Sequence, residues 1–370
     1  MVVNVTVSVG TVEVIQFCRA RGALYLDTSN EAWPSDNKLT TYDRRNSVLK
    51  KCRSEERGLP TSLICHGANP GLVTHFLKHA LDVVARNVFD DAAFSRLDDA
   101  DRWGRICKSA GIERIDISEH DSQVAAGLLD TDCGFNTWSV EGLLEESLEP
   151  SCFPYSTTLE PLSEEEWLLR TIETAGCSLN VATSRNRAIE NTVSTWIPGV
   201  GWFSGYQIPH PEQFSMASLC SWREGEQTNH PTVRFVYSPC PAARDMLSSA
   251  LRRPESEKRR KVLIDEIESG SDALGVTLFL NDGRLFWYGS VLSIDFSRSV
   301  SCRNNATTLQ VVAGIYSGIE YIIQNDREGL LEPEDLDHQV ILNLAKPFLG
   351  TMIEAWGFHS TATSMLSRTA

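Results

Sequence analysis

The chain has 370 residues, 42% of them hydrophobic, and a formal net charge of −15. That length gives a prior of about two domains of roughly 150 residues each, while the excess acid disfavours nucleic acid and anionic membranes, which recruit clustered Lys and Arg. Ten scattered cysteines, with no C-x-x-C pair and no Cys/His zinc spacing, argue against a disulfide scaffold and for a reducing cytosol.

The first residues lack the basic segment and apolar core of a signal peptide. No apolar run reaches the ~18–20 residues that span a bilayer. The expected location is cytoplasmic.

In chain order, residues 2–9 are a β-branched run that predicts a strand, followed by a helix over 10–21, a strand at 23–27, a charged helix over 42–56, a strand at 61–65 and a helix over 72–84. Strands alternating with helices imply parallel β-α-β units with right-handed crossovers. The glycine-rich G-x-G-x-x-G turn that normally opens such a sheet is missing from the first strand. The nearest pattern, Gly199 to Gly205, follows a proline and reads as a loop. We therefore read residues 1–88 as an incomplete doubly wound, Rossmann-like parallel sheet that starts after its phosphate-binding half.

Beyond it the pattern is α+β, and we assign residues 89–305 to a substrate or dimerisation domain. Residues 90–105 predict a charged helix, 112–117 a strand, 145–166 a Ser, Pro and Glu-rich loop, and 256–268 a helix. Strands are expected at 194–197, 233–237 and 275–280, the last turning through Asn281-Asp282-Gly283 into 285–290, a good hairpin signal. Helices at 308–324 and 336–345 place 306–370 as a C-terminal segment packing back on the first domain.

Several segments occur in an order that resembles the bacterial-type homospermidine synthases, a branch of the saccharopine dehydrogenase-like group. They include His66-Gly67-Ala68-Asn69-Pro70-Gly71, Ile117-Ser118-Glu119-His120-Asp121, Asn136-Thr137-Trp138-Ser139, His210-Pro211-Glu212, Tyr237-Ser238-Pro239-Cys240, Trp287-Tyr288-Gly289-Ser290 and Asn305-Ala306-Thr307. Each is short; their shared order over nearly the whole chain carries the weight. The resemblance implies an NAD-dependent homodimer without net redox. Putrescine, or spermidine, is oxidised to an imine, a second putrescine condenses on the carbon, and the Schiff base is reduced to homospermidine.

A diamine is dicationic at neutral pH, so its site needs buried acid or π-faces in place of water. By resemblance Trp138 steers the cationic intermediate with its ring, although a tryptophan is also ordinary core. Glu119 and Glu146 resemble substrate-holding carboxylates. His210 and Glu212 resemble a His-x-Glu pair that moves the amine proton; alternation along a strand would put both on one side. Asn69 follows a strand at its carboxyl end, where such sheets bind ligands, and with Gly67 resembles the nicotinamide side of the site. Glu31 is a weaker acidic match, and Ser8 stands where the family places an acid.

Two alternatives stay open at this level: a catalytically inactive truncated paralogue that keeps a polyamine-binding or dimerisation role, and a saccharopine dehydrogenase-like oxidoreductase. The latter would require Arg or Lys for substrate carboxylates, whereas the candidate set is acidic and aromatic. His75 and His79 have helical i, i+4 spacing, but no third ligand with metal spacing accompanies them.

Overall fold

The strand residues Val2–Asn4, Tyr25–Asp27 and Ser62–Leu63 are each followed by a helix, Thr11–Ala20, Thr41–Cys52 and Leu72–Ala85. In the computed structural model, which describes residues 1–7, 9–33, 39–53, 58–89, 101–127, 130, 132–156, 162–174, 177–252 and 259–359, these strands lie side by side and parallel. A fourth parallel strand, Leu330–Leu331, joins Ser62–Leu63 from far along the chain. The first strand is shorter than the run over 2–9 suggests, and Ser8 lies outside the described residues, as do 90–100 of the helix expected over 90–105.

The helix Leu72–Ala85 is apolar nearly all round, and Phe76, Leu77 and Leu81 are fully buried. Each such side chain contributes ~1.5–3 kcal/mol on burial, so the helix anchors the small sheet to the rest of the core. Thr40 caps the preceding helix, its Oγ1 accepting from Asp43 N at 3.2 Å. Inside that helix Arg45 is buried, donating from Nε and Nη2 to the two oxygens of Glu332 at 2.7 and 2.9 Å.

A second sheet has seven strands, in the order Thr192–Ile197, Gly201–Ile208, Thr232–Ser238, Ile112–Asp121, Ser271–Leu280, Arg284–Ser293 and Thr351–Phe358. Only the central pair, Thr232–Ser238 with Ile112–Asp121, is parallel; its neighbours are antiparallel. The hairpin through Asn281-Asp282-Gly283 forms with Gly283 at φ 84°, the left-handed conformation that glycine adopts at no steric cost.

The helix Ala306–Gln324 links the sheets. Its cap, Asn305 Oδ1, accepts from Thr308 N at 2.7 Å. A Cβ on Gly314 would come within 2.0 Å of Gly67 O, so only glycine lets the helix backbone press on the loop after Ser62–Leu63. Among the described residues no helix is long and apolar enough to cross a membrane.

Three expectations give way. Residues 256–268 do not form a helix: Arg259–Val262 is a strand parallel to Cys133–Asn136, and Ile267–Ser269 pairs with Val124–Ala125, while 253–258 lie outside the described residues. Partners more than a hundred residues distant override a local charge pattern. Residues 145–166 contain the end of the helix Val140–Leu148 and the strand Pro150–Pro154 rather than one loop. The Gly199–Gly205 stretch is a hairpin turn leading into Gly201–Ile208, with positive φ at Gly199 and Gly201.

Candidate functional site

The carboxyl ends of the small sheet's strands face the central strands of the large one, and a cavity of about 440 Å³ lies between them. Val5 to Val7, Thr28, Ser29 and Glu31 come from the first side, with Gly67, Ala68 and Asn69. Glu119, Trp138, Glu146, His210 and Tyr237 close the other. Of the eight residues singled out in the sequence, seven therefore line one cavity. Glu212 does not; it is buried behind His210.

Period-2 geometry on the strand Ile112–Asp121 puts Ile115, Ile117, Glu119 and Asp121 on one face. The register then sets Tyr237 beside Glu119 on one neighbour, and Leu274 beside Glu119 with Asp272 beside Asp121 on the other. Three carboxyl groups thus share a dry face. Burial raises the Glu119 pKa to about 8; the Asp121 charge adds to this, and a hydrogen bond from Asn69 Nδ2 at 3.3 Å opposes it. Burial also raises Asp121, to about 6, against bonds from Thr137 and Gln123. Asp272 is pushed well up by burial and by Glu119 and Asp121, and accepts from Thr307 Oγ1 at 2.6 Å. Sequence reading missed Asp272 because it opens an otherwise apolar strand. That isolated acid was the available signal.

Trp138 sits between the strand Cys133–Asn136 and the helix Val140–Leu148. Ser139 caps that helix, and a Cβ on Gly142 would meet the indole at 2.8 Å, so the ring lies on the first turn. Its Nε1 donates to Tyr237 Oη at 3.1 Å. Tyr237 stacks on Phe235 with ring centroids 5.7 Å apart, and Phe235 lies 4.7 Å from the His210 ring. The wall is aromatic where the floor is acidic.

His210 and Glu212 are not on a strand. Pro211 occupies the first position of the helix Pro211–Leu219, His210 is its N-cap, and Gln213 Oε1 accepts from His210 N at 2.7 Å. The two side chains still meet: His210 Nδ1 is 2.9 Å from Glu212 Oε1 and Nε2 is 3.2 Å from Glu146 Oε1. Burial pulls the imidazole pKa down, but Glu212 and Glu146 outweigh it and hold His210 well above its ordinary range. Both carboxylates favour its imidazolium form. Glu31 is anchored by Ser29 Oγ at 2.8 Å and by its own N–H on Thr11 Oγ1 at 3.0 Å.

Two acceptors on the wall are left over. Asn69 Oδ1 and Gln310 Oε1 are buried with no donor, an expensive condition that a ligand rich in N–H groups relieves. Gln310 was not singled out in the sequence, since a glutamine on an apolar helix has no distinguishing pattern. His75 meets His66, and His79 meets Glu354 at 2.7 Å, so the two do not share a ligand.

Known proteins resemble this chain in sequence and fold. The family model "Saccharopine dehydrogenase NADP binding domain" matches residues 1–62. A homospermidine synthase of Mesorhizobium japonicum is 30% identical over 364 residues, 94% of this chain and 73% of its own length. One of Blastochloris viridis is 30% identical over 365 residues, covering 95% and 74%. The crystal structure of the homospermidine synthase from Legionella pneumophila in complex with NAD superposes with a TM-score of 0.85 at 32% identity, over 96% of this chain and 75% of that one.

Proposed function

Because the chain belongs to the homospermidine synthase family, we propose that its cavity binds NAD beside putrescine and joins the aminobutyl group of one amine to a second putrescine, releasing ammonia. The observation that carries this reading is the gathering of acid, indole and imidazolium around one cavity at the carboxyl ends of parallel strands, where α/β sheets bind ligands. The residues fit a nicotinamide: its carboxamide N–H would meet the orphaned Asn69 Oδ1, with Gly67 and Ala68 allowing close approach. When bound, NAD takes up the hydride from the amine carbon and returns it to the final Schiff base.

The chain's own groups handle charge and protons. Glu119, protonated in the empty cavity, ionises when an ammonium arrives and then pairs with it. Trp138 offers a π-face to the substrate's positively charged imine, worth ~1–2 kcal/mol when desolvated. Glu146 accepts the amine proton, and the His210 imidazolium, held by Glu212, returns a proton to the departing ammonia. Behind the Glu119 end of the cavity, Asp121 and Asp272 form an acidic backing that an arriving ammonium would draw toward the ionised form. In this reading residues 1–88 serve the nucleotide, 89–305 the amine, and 306–370 tie the two. The same reading expects a homodimer, which light scattering tests.

Incubation with putrescine and NAD, followed by mass spectrometry, should show homospermidine and no net NADH. Failure to form homospermidine under conditions where NAD binds would overturn the reading.

A further inference from the structure

We infer that His66 is a positioning residue for the reaction, fixing through a buried pair with His75 where the Asn69 carboxamide meets Glu119. The inference rests on the site reading above, and neither imidazole lines the cavity. Both rings are fully buried. His66 Nδ1 is 2.9 Å from Gly314 O; a carbonyl only accepts, so Nδ1 carries the hydrogen and Nε2 is bare. His75 Nε2, 3.1 Å away, must then donate. Burial drives the His66 pKa down to about 4 and that of His75 well below the ordinary range, so both rings stay neutral and this arrangement persists.

The pair closes a clamp around the cavity loop. His66 follows the strand Ser62–Leu63, its N–H donating to Asp27 O at 2.8 Å, and His75 lies in the first turn of the helix Leu72–Ala85. Between them Gly67 N donates to Pro70 O at 2.8 Å, and Leu72 N and Val73 N return to Gly67 O and Ala68 O. From behind, the helix Ala306–Gln324 leaves no slack: a Cβ on Gly318 would come within 2.8 Å of His66 Nδ1. Asn69 is held on this clamp 3.3 Å from Glu119. Five groups on other strands and helices, or on its own, also act on Glu119: Asp121, Asp272, Tyr237, His210 and Glu146. Beside these, the Asn69 bond, like the His210 charge, favours the carboxylate, so weakening it moves Glu119 to a higher pKa.

The test is a double-mutant cycle on homospermidine formation from putrescine and NAD. His66→Leu should lower kcat about tenfold with KM changed less than about twofold, while His66→Asn, which keeps a donor toward Gly314 O, loses less than about threefold. In an Asn69→Ala background, His66→Leu should cost under about twofold. The limb of the pH–rate profile set by Glu119 should move up in His66→Leu and in Asn69→Ala alike. Should His66→Leu fail to fold, His75→Phe takes its place and should give the same limb shift. Fully multiplicative losses, or a limb that stays at its wild-type position in the His66 and His75 variants, overturn the inference while leaving the site reading intact. Wild-type kinetics in Asn69→Ala overturn both.

Discussion

Replacing Glu119 by Gln should make the protein more stable at high pH and equal to wild type at low pH. In the unfolded chain this carboxyl ionises near the ordinary glutamate value of 4.5, whereas burial in the fold raises its pKa to about 8. Between those values the unfolded state sheds a proton that the folded state keeps, so wild-type stability falls as pH rises through that window and levels off above it. The interval corresponds to an upper bound of about 5 kcal/mol at 1.36 kcal/mol per pH unit. Asp121 and Asp272 titrate with Glu119, so part of that sum belongs to them, and a gap of about 2–4 kcal/mol at pH 9 is the working figure. Glutamine is nearly isosteric and its Oε1 still accepts from Asn69, so packing is preserved. Urea titrations from pH 5 to 9 measure the gap directly. Adding putrescine should close it, because the ammonium stabilises only the carboxylate. A gap that is independent of pH, or a variant less stable at pH 9, would refute the reasoning.

Trp138→Ala should lower kcat/KM about tenfold or more, from the ~1–2 kcal/mol of a desolvated cation–π contact, and Trp138→Phe should retain part of it; equal turnover in steady-state assays would remove the indole from the mechanism. Glu212→Gln removes one of the two carboxylates that hold His210 above its ordinary range, so the limb on which activity falls as the imidazolium deprotonates should shift to lower pH in the pH–rate profile. A limb that stays put or rises would contradict this. Arg45→Met leaves the buried Glu332 with only the longer contact to the partly exposed Arg53 at 3.5 Å, and should cost ~3–5 kcal/mol in denaturant titrations. Adding Glu332→Leu should recover most of that loss.

Much of the site could be read from residue order because its members stand at strand ends and helix starts, where local chemistry is distinctive. Asn69 and Glu119 each follow or end a strand recognisable by its apolar run, and Trp138 stands in the Asn136-Thr137-Trp138-Ser139 segment that carries the resemblance. Glu212 was legible as His210's companion, but on the wrong element: Pro211 begins a helix, and the pairing comes from the N-cap turn rather than from strand alternation. Asp272, Tyr237 and Gln310 were missed because their importance arises only from register. Asp272 matters by standing opposite Asp121, and Tyr237 by reaching the indole from the adjoining strand. The strand Arg259–Val262 was misread for a related reason, since its alternation is satisfied only by Cys133–Asn136.

The helix Ala306–Gln324 behaves as a strut about 28 Å long at 1.5 Å per residue. Its first turn supplies Thr307 to the cavity wall, its middle presses on Gly67, and the chain beyond it returns as Leu330–Leu331 in the small sheet. A rigid spacer fastened at both ends fixes the width of the gap it crosses. On the proposed reading, room for amines of different length would come from the cavity's rim rather than from the two sheets moving apart.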